Sequence, residues 1–61
     1  IAGPGIALVR SRPALVRRLK ERGYQVYVWT VNELADVDLV RELGVDGIIT
    51  DRPADVLAYL R

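Results

Sequence analysis

The sequence contains no cysteine and no histidine. Those two absences remove disulfides, thiolate ligands and imidazole ligands together, so within these residues only carboxylates could bind a metal. A chain of 61 residues makes at most one small domain and buries only about 60% of the surface its unfolded form exposes. Chains of that size usually add disulfides, a metal or a partner. An excess of one charge is missing too: nine Lys and Arg against eight Asp and Glu leave +1, with both signs spread along the chain. Nucleic acid and anionic membranes are therefore disfavoured as partners. The densest basic run, Arg17-Arg18-Leu19-Lys20-Glu21-Arg22, holds an acid and a leucine at helical spacing and reads as a solvated helix face. No apolar segment approaches the roughly 20 residues that span a bilayer, and no signal peptide is visible. Zero cysteine fits a reducing compartment such as the cytoplasm, or a cysteine-poor family, and fixes no location. The first residue is Ile1 rather than Met, which makes a processed chain or a piece of something longer the expectation.

What is present is organised around Tyr24-Gln25-Val26-Tyr27-Val28-Trp29-Thr30-Val31-Asn32. It is the longest run of β-branched and aromatic residues, and it ends in an asparagine able to stop a strand and start a helix. Val26, Val28 and Thr30 alternate with Gln25, Tyr27, Trp29 and Val31, so slim groups take one side and bulky or polar groups the other. Both sides are largely apolar, which favours a strand of a parallel sheet covered on both faces.

The flanking segments alternate between apolar runs and helical patterns. Gly3-Pro4-Gly5 reads as a turn, and Ile6-Ala7-Leu8-Val9 as a short buried strand. Ser11 and Pro13 then open a helix reaching about Arg22, with Leu15, Val16 and Leu19 inward and Gly23 ending it in the left-handed conformation. Asn32 is placed to cap a second helix over about Glu33 to Leu43, buried along Leu34, Val37, Val40 and Leu43 with Leu39 beside them, and closed by Gly44. Val45 to Thr50 makes a third strand, in which Gly47 admits the close approach of a backbone or bulky group. Asp51-Arg52-Pro53-Ala54 starts a last helix with Val56, Leu57 and Leu60 inward.

Two echoes set the period. Ser11-Arg12-Pro13-Ala14 and Asp51-Arg52-Pro53-Ala54 repeat one device forty residues apart, and the Gly23-Tyr24 and Gly44-Val45 joints lie twenty-one residues apart. That is the length of a βα unit. Three such units with right-handed crossovers predict three parallel strands with helices on one side, an arc of a (β/α)₈ barrel whose full ring takes about 250 residues.

Active sites of such barrels lie at the carboxyl ends of the strands, where Trp29 to Asn32 and Thr50 to Pro53 fall. If Val26 and Val28 pack against helices, Trp29 points into the barrel mouth, either to fill the top core layer or to line a substrate pocket. Asn32 is an N-cap or a ligand contact. Asp51 is a helix cap or a carboxylate at a strand end, with no evident acid–base partner. Arg52 is a solvated rim residue or, with a helix N-terminus behind it, a phosphate contact. Asp36 and Asp38 diverge by about 200° on a helix and cannot share a metal. A complete catalytic constellation is missing.

Val28-Trp29-Thr30-Val31-Asn32 and Gly44-Val45-Asp46-Gly47-Ile48-Ile49-Thr50-Asp51-Arg52-Pro53 together resemble the C-terminal signature of the glycerophosphodiester phosphodiesterase family. The eleven residues between them resemble that family's seventh helix. The resemblance implies an α/β fold in which residues 1–61 are the last three β/α units of a TIM barrel, parallel strands six to eight. It implies a parent enzyme that hydrolyses glycerophosphodiesters to an alcohol and glycerol 3-phosphate with a divalent metal, Ca or Mg. Trp29 and Asn32 would then belong to the substrate-binding wall, and Asp51 and Arg52 to the pocket rim. The family's acid–base histidines, its His-Arg-Gly motif, its acidic metal ligands and its mid-chain lysine match nothing here and would precede Ile1. The 61 residues alone are thus expected to be inactive and to meet the glycerophosphodiester substrate only together with that missing part. The other reading is a non-catalytic βα module that self-associates or binds a partner through open strand edges.

Overall fold

Valine, not leucine, forms the centre of the molecule. In the computed structural model, which describes all 61 residues, the eight buried core side chains are Val9, Val16, Val26, Val28, Val31, Val37, Val40 and Val56. Leu19, Leu39, Leu43 and Leu60 pack around them only partly buried. Branched at Cβ, valine suits a strand and costs little in rotamer freedom when buried. Each such burial contributes roughly 1.5 kcal/mol or more.

The element order is α1 (Ile6–Ser11), α2 (Ala14–Glu21), β1 (Tyr27–Val28), α3 (Leu34–Leu43), β2 (Gly47–Ile48) and α4 (Pro53–Leu60). β1 and β2 pair in parallel, Tyr27 with Gly47 and Val28 with Ile48. On the other side of β1, Ala2 bridges Val26 and Gly5 bridges Trp29, also in parallel. β1 therefore lies in the middle of three parallel segments. Val26 and Val28 are fully buried under the helices. The opposite face stays open, and on it period-two alternation aligns Gly3 and Gly5, then Tyr27 and Trp29, then Gly47 and Ile49. α1 packs on α2 and α3, and α4 on α3. No helix is long and apolar enough to cross a membrane.

Several local expectations are corrected. Ile6 to Val9 is not a strand but the start of α1; a short continuous apolar run has no period that separates helix from strand. The first parallel segment is instead Ala2–Gly5, the glycine–proline stretch that reads as a turn. It pairs because a parallel ladder uses only every second residue. Ala2 N–H donates to the Gln25 carbonyl at 2.8 Å, Tyr27 N–H to Ala2 at 2.9 Å, Trp29 N–H to Pro4 at 3.3 Å and Ile6 N–H to Trp29 at 2.6 Å. The single rung needing an N–H from residue 4 is the one proline cannot supply.

The caps also differ. Ser11 Oγ donates back to the Leu8 carbonyl at 3.1 Å, and Pro13 takes the cap position of α2. Glu33, not Asn32, precedes α3, and Arg52, not Asp51, precedes α4; none of these positions makes a side-chain cap. Leu34 and Leu57 are exposed rather than inward, because Val37, Val40 and Val56 fill the interior at their helices' centres. Gly23 and Gly44 do take the left-handed conformation that ends a helix, with φ of 86° and 73°.

Two acids tie the helical layer together. Asp36 on α3 is buried and receives Arg10 Nε on Oδ1 at 2.8 Å and Arg10 Nη2 on Oδ2. Those hydrogen bonds hold its carboxyl below the usual carboxylate range against the opposing effect of burial. Asp46, just before β2, accepts the Val26 N–H at 2.7 Å and Lys20 Nζ at 3.0 Å, and the same contacts, the backbone one foremost, lower its pKa. Asp38 turns the other way from Asp36, accepting the Tyr59 hydroxyl on both oxygens at 2.8 and 2.9 Å.

Candidate functional site

The carboxyl ends of β1 and β2 lie side by side, as their parallel register requires. Past the ladder the chains stay joined: Ile49 N–H donates to the Val28 carbonyl and Val31 N–H to the Ile49 carbonyl, each at 2.9 Å. This brings Trp29, Thr30, Val31 and Asn32 beside Ile49, Thr50, Asp51 and Arg52.

Trp29 stands on the open face and is half exposed, at 50%. Its indole N–H donates to the Gly3 carbonyl at 2.7 Å, and its six-membered ring runs along Gly5, with Cζ2 3.7 Å from where a Cβ would stand there. The ring is therefore fixed at one end and presents an apolar surface outward. Tyr27, one turn of the pleat below, leans the other way over Gly47, where a Cβ would fall 2.5 Å from Tyr27 Cε2. The Trp29–Thr30 peptide bond is cis.

Asn32 points across to the neighbouring loop. Its Oδ1 accepts the Thr50 hydroxyl at 2.9 Å and the Asp51 N–H at 3.0 Å, and its Nδ2 donates to Asp51 Oδ2 at 3.4 Å. Thr50 Oγ1 in turn accepts the Arg52 N–H at 3.0 Å. The orientation of the Asn32 amide is forced, because a backbone N–H can only donate and must meet the oxygen. Thr50 is the member of this cluster to which the sequence alone assigns no role. Its signal is an Asn ending one strand and a Thr-Asp ending the next parallel one.

Arg52 and Asp51 are exposed, and the Arg52 side chain makes no ion pair. Arg52 lines an open groove of about 510 Å³ between the start of α3 and one side of α4, with Asn32, Glu33, Asp55 and Tyr59. The structure thus joins Asn32 to Asp51 directly, while Trp29 is anchored to the first segment instead. No three Asp or Glu side chains gather closely enough to hold a metal ion, so the residues of this chain do not by themselves fit the divalent cation that the resemblance implies.

Parallel strands, helices on one face, and an aromatic and polar cluster at the carboxyl strand ends define an α/β chain built in βα units. The chain belongs to the glycerophosphoryl diester phosphodiesterase family, whose model matches residues 2–55. It is 40% identical over 58 residues to a probable glycerophosphodiester phosphodiesterase 1 of Mycobacterium tuberculosis, covering 95% of this chain and 21% of that protein. It is 43% identical over 49 residues to the human lysophospholipase D GDPD3, covering 80% of the chain and 15% of that protein. A glycerophosphodiester phosphodiesterase of Caldanaerobacter subterraneus is 39% identical over 49 residues, 80% of the chain and 20% of that protein. The chain thus spans about a fifth of the length of the first of these curated relatives. No solved structure matches it significantly.

Proposed function

We propose that residues 1–61 are the C-terminal part of a glycerophosphodiester phosphodiesterase, the last three β/α units of a (β/α)₈ barrel, and that they supply one wall of its substrate pocket. The whole enzyme hydrolyses a glycerophosphodiester to an alcohol and glycerol 3-phosphate. Trp29 lines the pocket, and Asp51 and Arg52 stand at its rim. The acid–base histidines, and the ligands of a divalent Ca or Mg ion, come from residues outside these 61.

The observation that carries this reading is Trp29. Val26 and Val28 are turned entirely into the helical layer, which leaves the indole on the opposite face, at the strand end where α/β enzymes place their sites. Its N–H is already satisfied by Gly3, so what it offers a ligand is flat apolar area, suited to the glycerol carbons or the alcohol moiety rather than to the phosphate. Orientation and exclusion of water are the chain's contribution to the reaction.

The test is Trp29→Ala in the whole enzyme, assayed with glycerophosphocholine and with a lysophospholipid, since one relative carries the name lysophospholipase D. KM rises for at least one of the two substrates while circular dichroism is unchanged. An unaltered kcat/KM for both would remove Trp29 from the pocket wall.

A further inference from the structure

We propose that Asn32 is a positioning residue: it clamps the carboxyl end of β1 to the Thr50–Arg52 loop and acts on the site through that loop rather than by touching substrate. This rests on the phosphodiesterase reading above for its kinetic part, and on the geometry alone for the clamp.

The side-chain inventory decides the matter. An asparagine amide has one acceptor oxygen with two lone pairs and two N–H donors. Here both lone pairs are engaged, by the Thr50 hydroxyl at 2.9 Å and the Asp51 N–H at 3.0 Å. One N–H faces Asp51 Oδ2 at 3.4 Å. The network continues through Thr50 Oγ1, which accepts the Arg52 N–H at 3.0 Å. Three consecutive residues of the loop are thereby held by one side chain or by its immediate partner. A group so committed has little left for a ligand, whereas the loop it holds carries both rim residues, Asp51 and Arg52. Asn32 does not cap α3, so helix formation is not the use of its amide.

The pairing of an amide with a carboxylate can be reversed. Aspartate at position 32 still accepts from Thr50 and from the residue-51 N–H, yet sets a carboxylate against Asp51; asparagine at 51 removes that repulsion and restores a donor. Asn32→Asp, Asp51→Asn and the double variant, compared with the parent enzyme on glycerophosphocholine, form a double-mutant cycle. Asn32→Asp lowers kcat on the order of tenfold when Asp51 is present, with little change in KM. Its activity recovers as pH falls, because adjacent carboxylates retain a shared proton. In the Asp51→Asn background the same substitution costs much less. Thermal midpoints of the four proteins show the same non-additivity. Should Asn32→Asp not fold, Thr50→Val, which keeps the shape and removes the hydroxyl, lowers kcat in its place.

A rise in KM at constant kcat, equal in both backgrounds, would overturn the proposal by making the amide a substrate contact. Additive effects on kcat and on the thermal midpoint would overturn it as well. If the parent protein does not cleave phosphodiesters, the phosphodiesterase reading falls, and the midpoints alone decide the clamp: non-additive values uphold it and additive values reject it.

Discussion

The Tyr27 ring occupies the space that any side chain on Gly47 would need, an added Cβ there lying 2.5 Å from Tyr27 Cε2. The two residues are register partners in the β1–β2 pair, so the overlap cannot be relieved by sliding one strand. Gly47→Ala therefore destabilises the protein by roughly 1–3 kcal/mol through overpacking. In a Tyr27→Ala background the same substitution costs clearly less. Chemical denaturation of the four proteins measures both, and an equal cost with and without the ring would rule out the overlap as its cause.

Asp36 and Asp46 make stability depend on acid pH. Both have folded-state pKa values below the ordinary carboxylate value. Their contribution is therefore complete above the unfolded value, about 4, and is lost as pH falls through the folded values. Stability measured against pH should decline below about pH 4, and part of that decline should be missing in Asp46→Asn, whose amide takes up no proton in that range. An identical slope in the variant would mean that the bonds from Val26 and Lys20 carry no linkage.

At the alkaline end the sign is the reverse in form. Hydrogen bonding to Asp38 raises the Tyr59 pKa, so that contact is intact below the unfolded tyrosine value of about 10 and is lost as pH rises through the higher folded value. Ultraviolet titration, with the signal of Tyr24 and Tyr27 subtracted by means of Tyr59→Phe, should show Tyr59 ionising at lower pH in Asp38→Asn than in the unsubstituted protein. No shift between the two would place the tyrosine outside the influence of Asp38.

Val28 is fully buried at the centre of the valine core. Val28→Ala costs roughly 2 kcal/mol by lost transfer energy and the cavity left behind, with the denaturant slope unchanged. A cost near zero would show that the helices close over the gap.

The isolated 61 residues should self-associate. Ile1 and Ile49 on the open face are 86% and 51% exposed beside half-exposed Trp29, and two strand edges have no partner on their outer sides. Sedimentation that finds a monomer at micromolar concentration and no binding of a hydrophobic dye would contradict this.

Much of this was legible in the residues. The parallel sheet, the central place of the Tyr24–Asn32 stretch, the inward Val26 and Val28, and the glycine joints at 23 and 44 follow from alternation, β-branching and turn chemistry. Ile6 to Val9 was not legible, because four apolar residues in a row fit either helix or strand. Nor was Ala2–Gly5, whose proline forbids one rung but leaves the others. At the candidate site the sequence marks Asn32 as polar and well placed, but its N-cap preference is local, whereas its hydrogen bonds reach 18 and 19 positions along the chain. Local preference carries no information about a partner brought close only by strand pairing.

The bond from the Trp29 indole to the Gly3 carbonyl has an asymmetry in its tolerance of substitution. Its acceptor is main chain, present whatever residue stands at position 3, and that position has room: φ is not positive there, and an added Cβ meets only the Tyr27 carbonyl oxygen at an ordinary 3.7 Å. Its donor exists in no other side chain of that size and shape. Sequence drift can therefore pass freely through one end of the anchor while the other end admits almost none.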